Sequence, residues 1–308
     1  MPPKLSRDRY DAAVAFVRET ARPLDVTLLN HALGEAGPGP ALVALSEFQN
    51  PDGGFGGGLE PDSQGPASTA LATSVALRHL QRLGASARQP MVAGAISWLG
   101  ETLDAERGVW WIVGPGHGHA PHAPWMTWSE DAIGSDALAG AQQGFRFNPT
   151  AELLGQLYPW REAAPSGLVE TVEARFRQTM AATALIESAY DLKCAARLAE
   201  TRSAPADLRG GLDELVRRSI DAHDPADEHL SPLELAPTPQ SLFSDAVTGR
   251  AEPAIEALIA SQEADGGWPL FWDWAFVDKD AWAKAKRDWR GERTRGVIET
   301  LRAWERVG

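Results

Sequence analysis

The chain has 308 residues, a formal net charge of −13 and a single cysteine. This length suffices for a substantial hydrophobic core, while one cysteine excludes an intramolecular disulfide framework and a cysteine-rich zinc site. The acidic balance argues against a general affinity for nucleic acid or anionic membranes, so neither is an expected partner. The N-terminal residues carry no apolar signal segment and no apolar run approaches 18 residues, so we expect a cytoplasmic protein without stable membrane insertion.

Apolar residues recur with helical spacing along most of the chain, and no stretch alternates in the manner of a strand. The pattern predicts an all-α protein. The predicted helices span residues 7–20, 24–34, 39–49, 66–83, 88–105, 148–158, 165–183, 188–201, 206–222, 252–262, 279–288 and 293–306. We expect Ser6 or Asp8 to cap the N-terminus of the first helix. Gly84 is expected to end the fourth helix, and Asn148-Pro149 is expected to begin the sixth.

Two connections lack helical periodicity, about residues 106–147 and 223–250. Connections of this length in a folded domain are commonly functional or mobile, so both are candidates for functional loops. No shift in composition divides the chain. We therefore predict a single domain over residues 1–308.

A seven-residue cassette occurs twice in the same context. The segment Gln49-Asn-Pro-Asp-Gly-Gly-Phe55 recurs as Gln262-Glu-Ala-Asp-Gly-Gly-Trp268, each after an apolar helical run. Asp-Gly-Gly is turn chemistry, since the aspartate bonds nearby backbone and glycine reaches positive φ without steric cost. A degenerate third copy is Leu103-Asp-Ala-Glu-Arg-Gly-Val-Trp110. Repeated cassettes indicate a repeat architecture.

The cassette resembles the Gln-Trp (QW) repeat of squalene–hopene-type terpene cyclases and the related motif of protein prenyltransferase β subunits. The segments after each cassette, residues 66–80 and 294–304, resemble the inner helices of those proteins. The resemblance implies a single α/α toroid, in which inner and outer helices alternate around a hydrophobic central cavity. It is specific for architecture and covers mainly residues 40–83 and 254–306.

The catalytic devices of these relatives are missing. The Asp-x-Asp-Asp acid motif of the cyclases has no counterpart, and Asp191-Leu-Lys-Cys194 has the wrong spacing for the prenyltransferase zinc site. Lanthipeptide cyclases also have a toroid fold, but they need two cysteines and this chain has one. The resemblance therefore predicts no cofactor for this chain.

The first candidate site is a loop with three histidines in six residues. His117, His119 and His122 lie in Gly114–Trp125, and the three imidazoles could form a face for a divalent metal with an added carboxylate. The candidate carboxylates are Glu60, Asp62, Glu130 and Asp131. The alternatives are a histidine acting as proton donor or acceptor, and a structural loop whose histidines cap backbone groups or stack on Trp125 and Trp128.

The second candidate is Gly56-Gly-Gly-Leu-Glu60-Pro-Asp62, directly before a predicted helix. A carboxylate near a helix N-terminus is stabilised as the anion, and in a toroid these termini gather at one mouth of the cavity. Three glycines allow the backbone to turn Glu60 inward. Asp62 has the alternative role of capping the helix.

The third candidate is the aromatic stretch from Trp268 to Asp278, followed by Trp282 and Trp289. In the cyclases, aromatic rings line the cavity and stabilise carbocations; the alternative is an ordinary core. Asp273 between Trp272 and Trp274 is expected to have a pKa raised by apolar neighbours, which suits a general acid. The basic run at residues 284–295 is either a solvated face or a site for an anionic group.

These features favour an enzyme that acts on an apolar, isoprenoid-like small molecule by acid–base chemistry in the toroid cavity. The predicted catalytic residues are Glu60, His119, His122 and Asp273. The predicted substrate-binding residues are Phe55, Asp62, Trp125, Trp128, Trp268, Trp272, Trp274 and Arg290. The alternatives are a non-catalytic ligand-binding or scaffold toroid and a carbohydrate-active (α/α) barrel. The sequence assigns no oligomeric state.

Overall fold

The structure is a computed structural model that describes residues 2–128 and 147–308. These residues form helices and turns with only isolated β-bridges, which confirms the prediction of an all-α fold. The helices are α1 (Arg7–Thr20), α2 (Pro23–Ala32), α3 (Gly39–Ser46), α4 (Ala70–Arg82), α5 (Pro90–Thr102), α6 (Thr150–Leu157), α7 (Leu168–Ala182), α8 (Ala189–Glu200), α9 (Ala206–Ala222), α10 (Pro232–Leu235), α11 (Thr248–Ala260) and α12 (Lys279–Ala303). Within the described ranges, no helix is both long and apolar enough to cross a membrane.

Local capping chemistry accounts for several helix ends. The Ser6 hydroxyl accepts from the backbone of Arg9 and opens α1, and Gly84 follows α4 with φ of 71°. The sequence placed the start of α4 too early, because Thr69 caps that helix at Ala72 while its own N–H bonds to Phe55. The segment before Thr69 therefore belongs to the turn that follows the first cassette.

The prediction of two helices at residues 279–288 and 293–306 was wrong. They form one continuous helix, α12. Gly291, in the predicted gap, is helical and buried, and a Cβ atom there would lie 2.5 Å from the Cβ of Ala21. The glycine allows close approach to Ala21 and does not interrupt the helix.

The chain divides into two compact units. The first unit comprises residues 1–45 and 226–308, and the second comprises residues 46–225. The single domain over residues 1–308 stays a prediction.

The first unit joins the two ends of the chain. Leu5 pairs with Val307 in a parallel bridge, and α1 and α2 both pack on α12. Its core consists of the buried residues Leu5, Tyr10, Ala13, Val14, Phe16, Val17, Leu29, Leu233, Ala251, Ile255, Ile259, Trp268, Val297, Ile298 and Leu301. Burial of this apolar surface is the main stabilising contribution to the unit.

The second unit is a succession of packed helix pairs. Helix α6 contacts both α4 and α8, while α4 packs on α5, α6 on α7, and α8 on α9. The even-numbered helices therefore follow one another as neighbours, and each has an odd-numbered partner.

The two cassettes have the same internal hydrogen bonds, one in each unit. The side-chain amide of Gln49 donates to the carbonyl oxygen four residues on (2.9 Å) and to the carbonyl oxygen of Met91 (3.0 Å). Gln262 makes the equivalent bonds inside its own cassette (2.8 Å) and to Arg9 (2.9 Å). Each glutamine thus joins its turn to the first residues of another helix, α5 for Gln49 and α1 for Gln262. This shared role accounts for the glutamine in both copies of the cassette.

The aromatic residue that closes each copy is fixed in the same way, including the degenerate third copy. Its backbone N–H donates to a threonine hydroxyl of a following helix: Phe55 to Thr73 (3.1 Å), Trp110 to Thr150 (3.2 Å) and Trp268 to Thr294 (3.2 Å). The indole N–H of Trp110 bonds to Leu99 (2.8 Å), and that of Trp268 bonds to Leu258 (2.7 Å). All three aromatic side chains are fully buried, so their contribution is to the core.

Candidate functional site

Two loops of the second unit meet to form the candidate site, which we call the two-loop site: residues 56–65 and 114–127. The first loop closes on itself, because the N–H of Gly57 donates to the carbonyl oxygen of Gly65 (3.0 Å). Gly57 and Gly58 have φ of 63° and 81°, conformations that favour glycine. The three glycines noted in the sequence therefore build this tight loop.

A short antiparallel pairing holds the two loops together. Ser63 bridges to His122, and the carbonyl oxygen of Asp62 accepts from the N–H of Ala123 (2.8 Å). The carboxylate of Asp62 accepts from the indole N–H of Trp125 (3.2 Å). The first and second candidate sites of the sequence are therefore a single site. Asp62 does not cap α4, whose cap is Thr69.

The site contains buried acid and imidazole groups. Glu60, Asp62, Ser63 and His117 are all buried, with exposed fractions of 8%, 4%, 5% and 3%. The rings of His117 and His122 lie 4.9 Å apart, tilted by 55°. Buried polar groups of this kind carry a desolvation cost that ordinary loops do not have.

The side chains of His117 and His119 lie in different surroundings, although the sequence spaces them as His-x-His. Both lie on the 3₁₀ helix Pro115–His119, where His117 is buried and His119 is exposed. With three residues per turn, side chains two positions apart leave such a helix in different directions. The histidine that faces His117 is His122.

In the described ranges, no group of three or more His, Cys, Asp or Glu side chains is arranged to hold a metal ion. Glu130 and Asp131, which the sequence offered as further ligands, lie outside the described residues.

The serine beside His117 does not form a good nucleophile–base pair with it. The Ser63 hydroxyl oxygen lies 3.4 Å from Nδ1 and 3.5 Å from Nε2 of His117. Nearly equal, long distances to both ring nitrogens place the hydroxyl beside the ring, and a well-formed hydrogen bond is shorter and directed at one nitrogen. The geometry therefore shows no hydrogen bond that would activate the Ser63 hydroxyl as a nucleophile.

His122 is held by bonds on both sides of its ring. Its Nδ1 lies 2.7 Å from the carbonyl oxygen of Ala120, and its Nε2 lies 3.3 Å from the hydroxyl of Thr127. A carbonyl oxygen only accepts, so Nδ1 carries the proton and Nε2 accepts from Thr127 when the ring is neutral. Sequence reasoning missed Ser63 and Thr127, because a single hydroxyl in a loop carries no pattern.

Burial, followed by the neighbouring His122, lowers the pKa of His117 to about 4. The neutral imidazole of His117 is therefore the form present at neutral pH, which leaves one ring nitrogen unprotonated. Since the unfolded residue titrates near 6.5, the unfolded chain binds more protons than the folded chain between these two values.

We expect the free energy of unfolding to fall by about 2 kcal/mol from this one group as the pH is lowered from 7 to 5. The measurement is urea unfolding at both pH values for the native chain and for His117→Gln, which lacks the titrating ring. A variant with the same pH dependence as the native chain would contradict the low pKa. Histidine NMR signals followed from pH 8 to pH 3 give the value directly.

The predicted aromatic ligands lie in four different environments. Phe55, Trp268 and Trp274 are fully buried in the core, whereas Trp125 is 48% exposed beside the two-loop site. Trp128 packs edge-on against Trp111 at 6.4 Å. Trp272 packs against Phe271 and Trp289 in the first unit.

Two predicted site residues have other surroundings than expected. Asp273 is exposed, and its carboxylate accepts from the N–H of Ala275 (2.7 Å), so the apolar environment inferred for it is absent. Arg290 forms ion pairs with Glu263 and Asp265 and lies over the Phe16 ring, which fixes the second cassette. The positive charge of Arg290 is thus balanced by these two carboxylates.

Sequence reasoning also missed a buried ionic cluster on three adjacent helices of the second unit. Glu152 on α6 lies between Arg197 on α8 (2.6 Å) and Arg78 on α4 (3.3 Å). Burial opposes ionisation of Glu152, but Arg197 and then Arg78 outweigh it and lower the pKa of this carboxyl. Burial and the nearby Glu152 raise the pKa of the Cys194 thiol, which therefore stays protonated and donates to Glu152. The arginines lie on other helices, so no local pattern links them to Glu152.

Comparisons with protein-family models, with curated proteins and with solved structures gave no match to this chain.

Proposed function

We propose that the chain is an enzyme and that the two-loop site carries out acid–base chemistry on a small molecule. The observation that carries this proposal is the pairing of two loops, one with the buried carboxylates Glu60 and Asp62 and the other with the buried His117 and its neighbour His122. A core packing role needs none of these groups, and burying them costs free energy that a purely structural loop would avoid.

The roles follow from the surroundings of each residue. His117, neutral at physiological pH, accepts the proton, and Glu60 is the carboxyl group assigned to proton transfer on the facing loop. Asp62 is a positioning residue, because its carboxylate holds the indole of Trp125. The half-exposed face of Trp125 then supplies an apolar contact for the substrate.

The substrate class comes from the resemblance to terpene cyclases and protein prenyltransferases. We propose an apolar, isoprenoid-like substrate, and we propose that the helices of each unit are the alternating inner and outer helices of an α/α toroid. The support is the common bonding of the three cassette copies and the succession of α4, α6 and α8 with their partners α5, α7 and α9. The cytoplasmic location stays a prediction.

A non-catalytic ligand-binding protein is the second candidate, and one observation favours it. Asp62 and His122 are already engaged in hydrogen bonds that join the two loops. If both groups serve only to hold the two loops together, the site can bind a ligand but does not catalyse a reaction.

The test is incubation of the purified protein in D2O with squalene, farnesyl diphosphate and geranylgeranyl diphosphate, each in a separate reaction. Acid–base chemistry on a carbon–carbon double bond incorporates deuterium from the solvent, which mass spectrometry of the products detects. We expect Glu60→Gln and His117→Gln to lower product formation at least 100-fold, the scale of a positioned acid or base. The matched controls His31→Gln and Glu101→Gln lie elsewhere and are expected to retain activity.

Three outcomes count against the proposal. Product formation that survives both site variants would remove the two-loop site from the chemistry. Binding of these compounds without deuterium incorporation would favour the ligand-binding protein. If the protein neither converts nor binds any of the three compounds, the isoprenoid substrate class is overturned.

A further inference from the structure

Arg293 on α12 is half-buried and forms no hydrogen bond or close ion pair with the described residues. Its Nε atom is buried and has no hydrogen-bond acceptor there. The other arginines nearby on α12 are paired, Arg290 with Asp265 and Arg295 with Glu299. The chain has 42 acidic residues against 29 basic ones, so carboxylates are plentiful. A buried Nε–H group without an acceptor is costly, and a ligand that supplies the acceptor would remove this cost.

A row of aromatic rings begins one helical turn before Arg293. Trp289 lies one helical turn earlier on the same face of α12, since residues four apart are neighbours on a helix. Trp272 packs against Trp289 with ring centroids 5.3 Å apart, and Phe271 packs against Trp272 at 4.8 Å. His229 continues the row at 5.2 Å from Phe271. Phe271 is 41% exposed, so solvent reaches one end of this row.

A second donor in this row also lacks an acceptor. The indole Nε1 of Trp272 is buried, and the described residues offer it no hydrogen bond. Buried indole N–H groups usually find a partner. One unsatisfied donor in the aromatic row and one on a cation a helical turn from Trp289 match a ligand with an anionic acceptor group and an apolar body.

The charges around Arg293 limit how much negative charge a bound anion can carry. Burial lowers the pKa of Arg293 below its ordinary value, and the carboxylate of Glu234 on α10 opposes this only in part. One cation with a carboxylate in its neighbourhood suits a monoanion, whereas a phosphate or diphosphate group brings more negative charge than the site compensates.

We propose that Arg293, Trp272 and Trp289 form a binding site for a small carboxylate that carries an aromatic or other apolar group. The guanidinium binds the carboxylate through its forked N–H donors, and the tryptophan rings pack against the apolar group. This site uses residues of the first unit alone and does not depend on the function proposed for the two-loop site.

The test is isothermal titration calorimetry of the full chain with 1-naphthoate. The neutral 1-naphthalenemethanol and the doubly charged 1-naphthyl phosphate serve as matched probes. We expect 1-naphthoate to bind at least tenfold more tightly than either probe, and Arg293→Met to weaken its binding at least tenfold. Arg287→Met is the control, since Arg287 lies on the same helix with a side chain that is 62% exposed.

Stability separates a ligand site from a structural role. Because Arg293→Met removes an unpaired cation and keeps an unbranched apolar side chain, we expect the unfolding midpoint to rise by about 2 °C. A lower midpoint would show that Arg293 stabilises the fold and would overturn the proposal. Equal binding of 1-naphthoate to the native chain and to Arg293→Met, no binding to the native chain, or tighter binding of 1-naphthyl phosphate would also overturn it.

Discussion

Replacing Gly53 with alanine is expected to lower the free energy of unfolding by about 4 kcal/mol, far more than the same replacement at Gly84. Both glycines have positive φ, 92° at Gly53 and 71° at Gly84, so both substitutions force alanine into the left-handed region. That cost is about 1–2 kcal/mol. The difference between the two positions comes from their neighbours.

A Cβ atom at Gly53 would lie 2.5 Å from the carbonyl oxygen and 2.8 Å from the carbonyl carbon of Gly94, whereas at Gly84 it would meet nothing within 4 Å. The obstacle at Gly53 is helix backbone, which cannot rotate away, so α5 must move or the turn must open. Overpacking of this kind adds about 1–3 kcal/mol to the backbone cost. Gly84→Ala isolates the backbone cost alone.

The measurement is urea unfolding followed by circular dichroism, with Gly84→Ala as the matched control. The same experiment extends to the second cassette, where a Cβ atom at Gly266 would lie 2.5 Å from the carbonyl oxygen of Ala12. We expect Gly266→Ala to be as destabilising as Gly53→Ala. If Gly53→Ala and Gly84→Ala lose equal stability, the close approach of the first cassette to α5 is not a feature of the native protein.

This contrast shows what the sequence could predict of the cassettes. Two adjacent glycines after an aspartate predict a turn, and the aspartates do bond the second glycine of each turn, Asp52 to Gly54 and Asp265 to Gly267, both at 3.0 Å. The sequence does not predict that the turn presses against α5, since that contact joins residues far apart in the chain. The helical periodicity located eleven of the twelve described helices because each one buries an apolar face, but it missed α10, a single turn with a capping box at Ser231.

The candidate site was predictable in its parts and not in its assembly. The sequence singled out the histidine loop because three histidines lie within six residues, and it singled out Glu60 and Asp62 because they follow three glycines directly before a predicted helix. It paired His117 with His119, since neighbours in sequence are the natural partners to consider. The pairing with His122 depends on the turn at Pro115–His119 and on the bridge from Ser63, which only the folded loops determine.

The ionic cluster at Glu152 provides the second large effect. Glu152→Gln is expected to lower the free energy of unfolding by about 3 kcal/mol at pH 7. The glutamine has the same shape, but it leaves the guanidinium groups of Arg197 and Arg78 facing each other without the charge between them. Both arginine side chains are about one third exposed, so partial hydration keeps the loss below that of a fully buried pair.

The matched control is Glu170→Gln, which removes a carboxylate from an ion pair of the same chemistry in the same unit. Glu170 and its partner Arg161 are both exposed, at 58% and 49% of their side chains, so water replaces the lost contact and little change is expected. Equal losses in the two variants would mean that the Glu152 cluster is no better shielded from solvent than a surface pair.

The pH dependence of the Glu152 effect has a definite sign. Because Arg197 and Arg78 lower the pKa of Glu152 in the folded chain, the folded chain releases this proton more readily than the unfolded chain does. The stabilisation is therefore complete above the ordinary pKa of glutamate, about 4.3, and is lost as the pH falls through the lower folded value. Acid unfolding of the native chain should thus show a steeper loss of stability below about pH 4.3 than acid unfolding of Glu152→Gln, which has no proton to bind at this position. Parallel acid-unfolding curves would mean that Glu152 titrates alike in the folded and unfolded chains, and that the two arginines do no more than offset the cost of its burial.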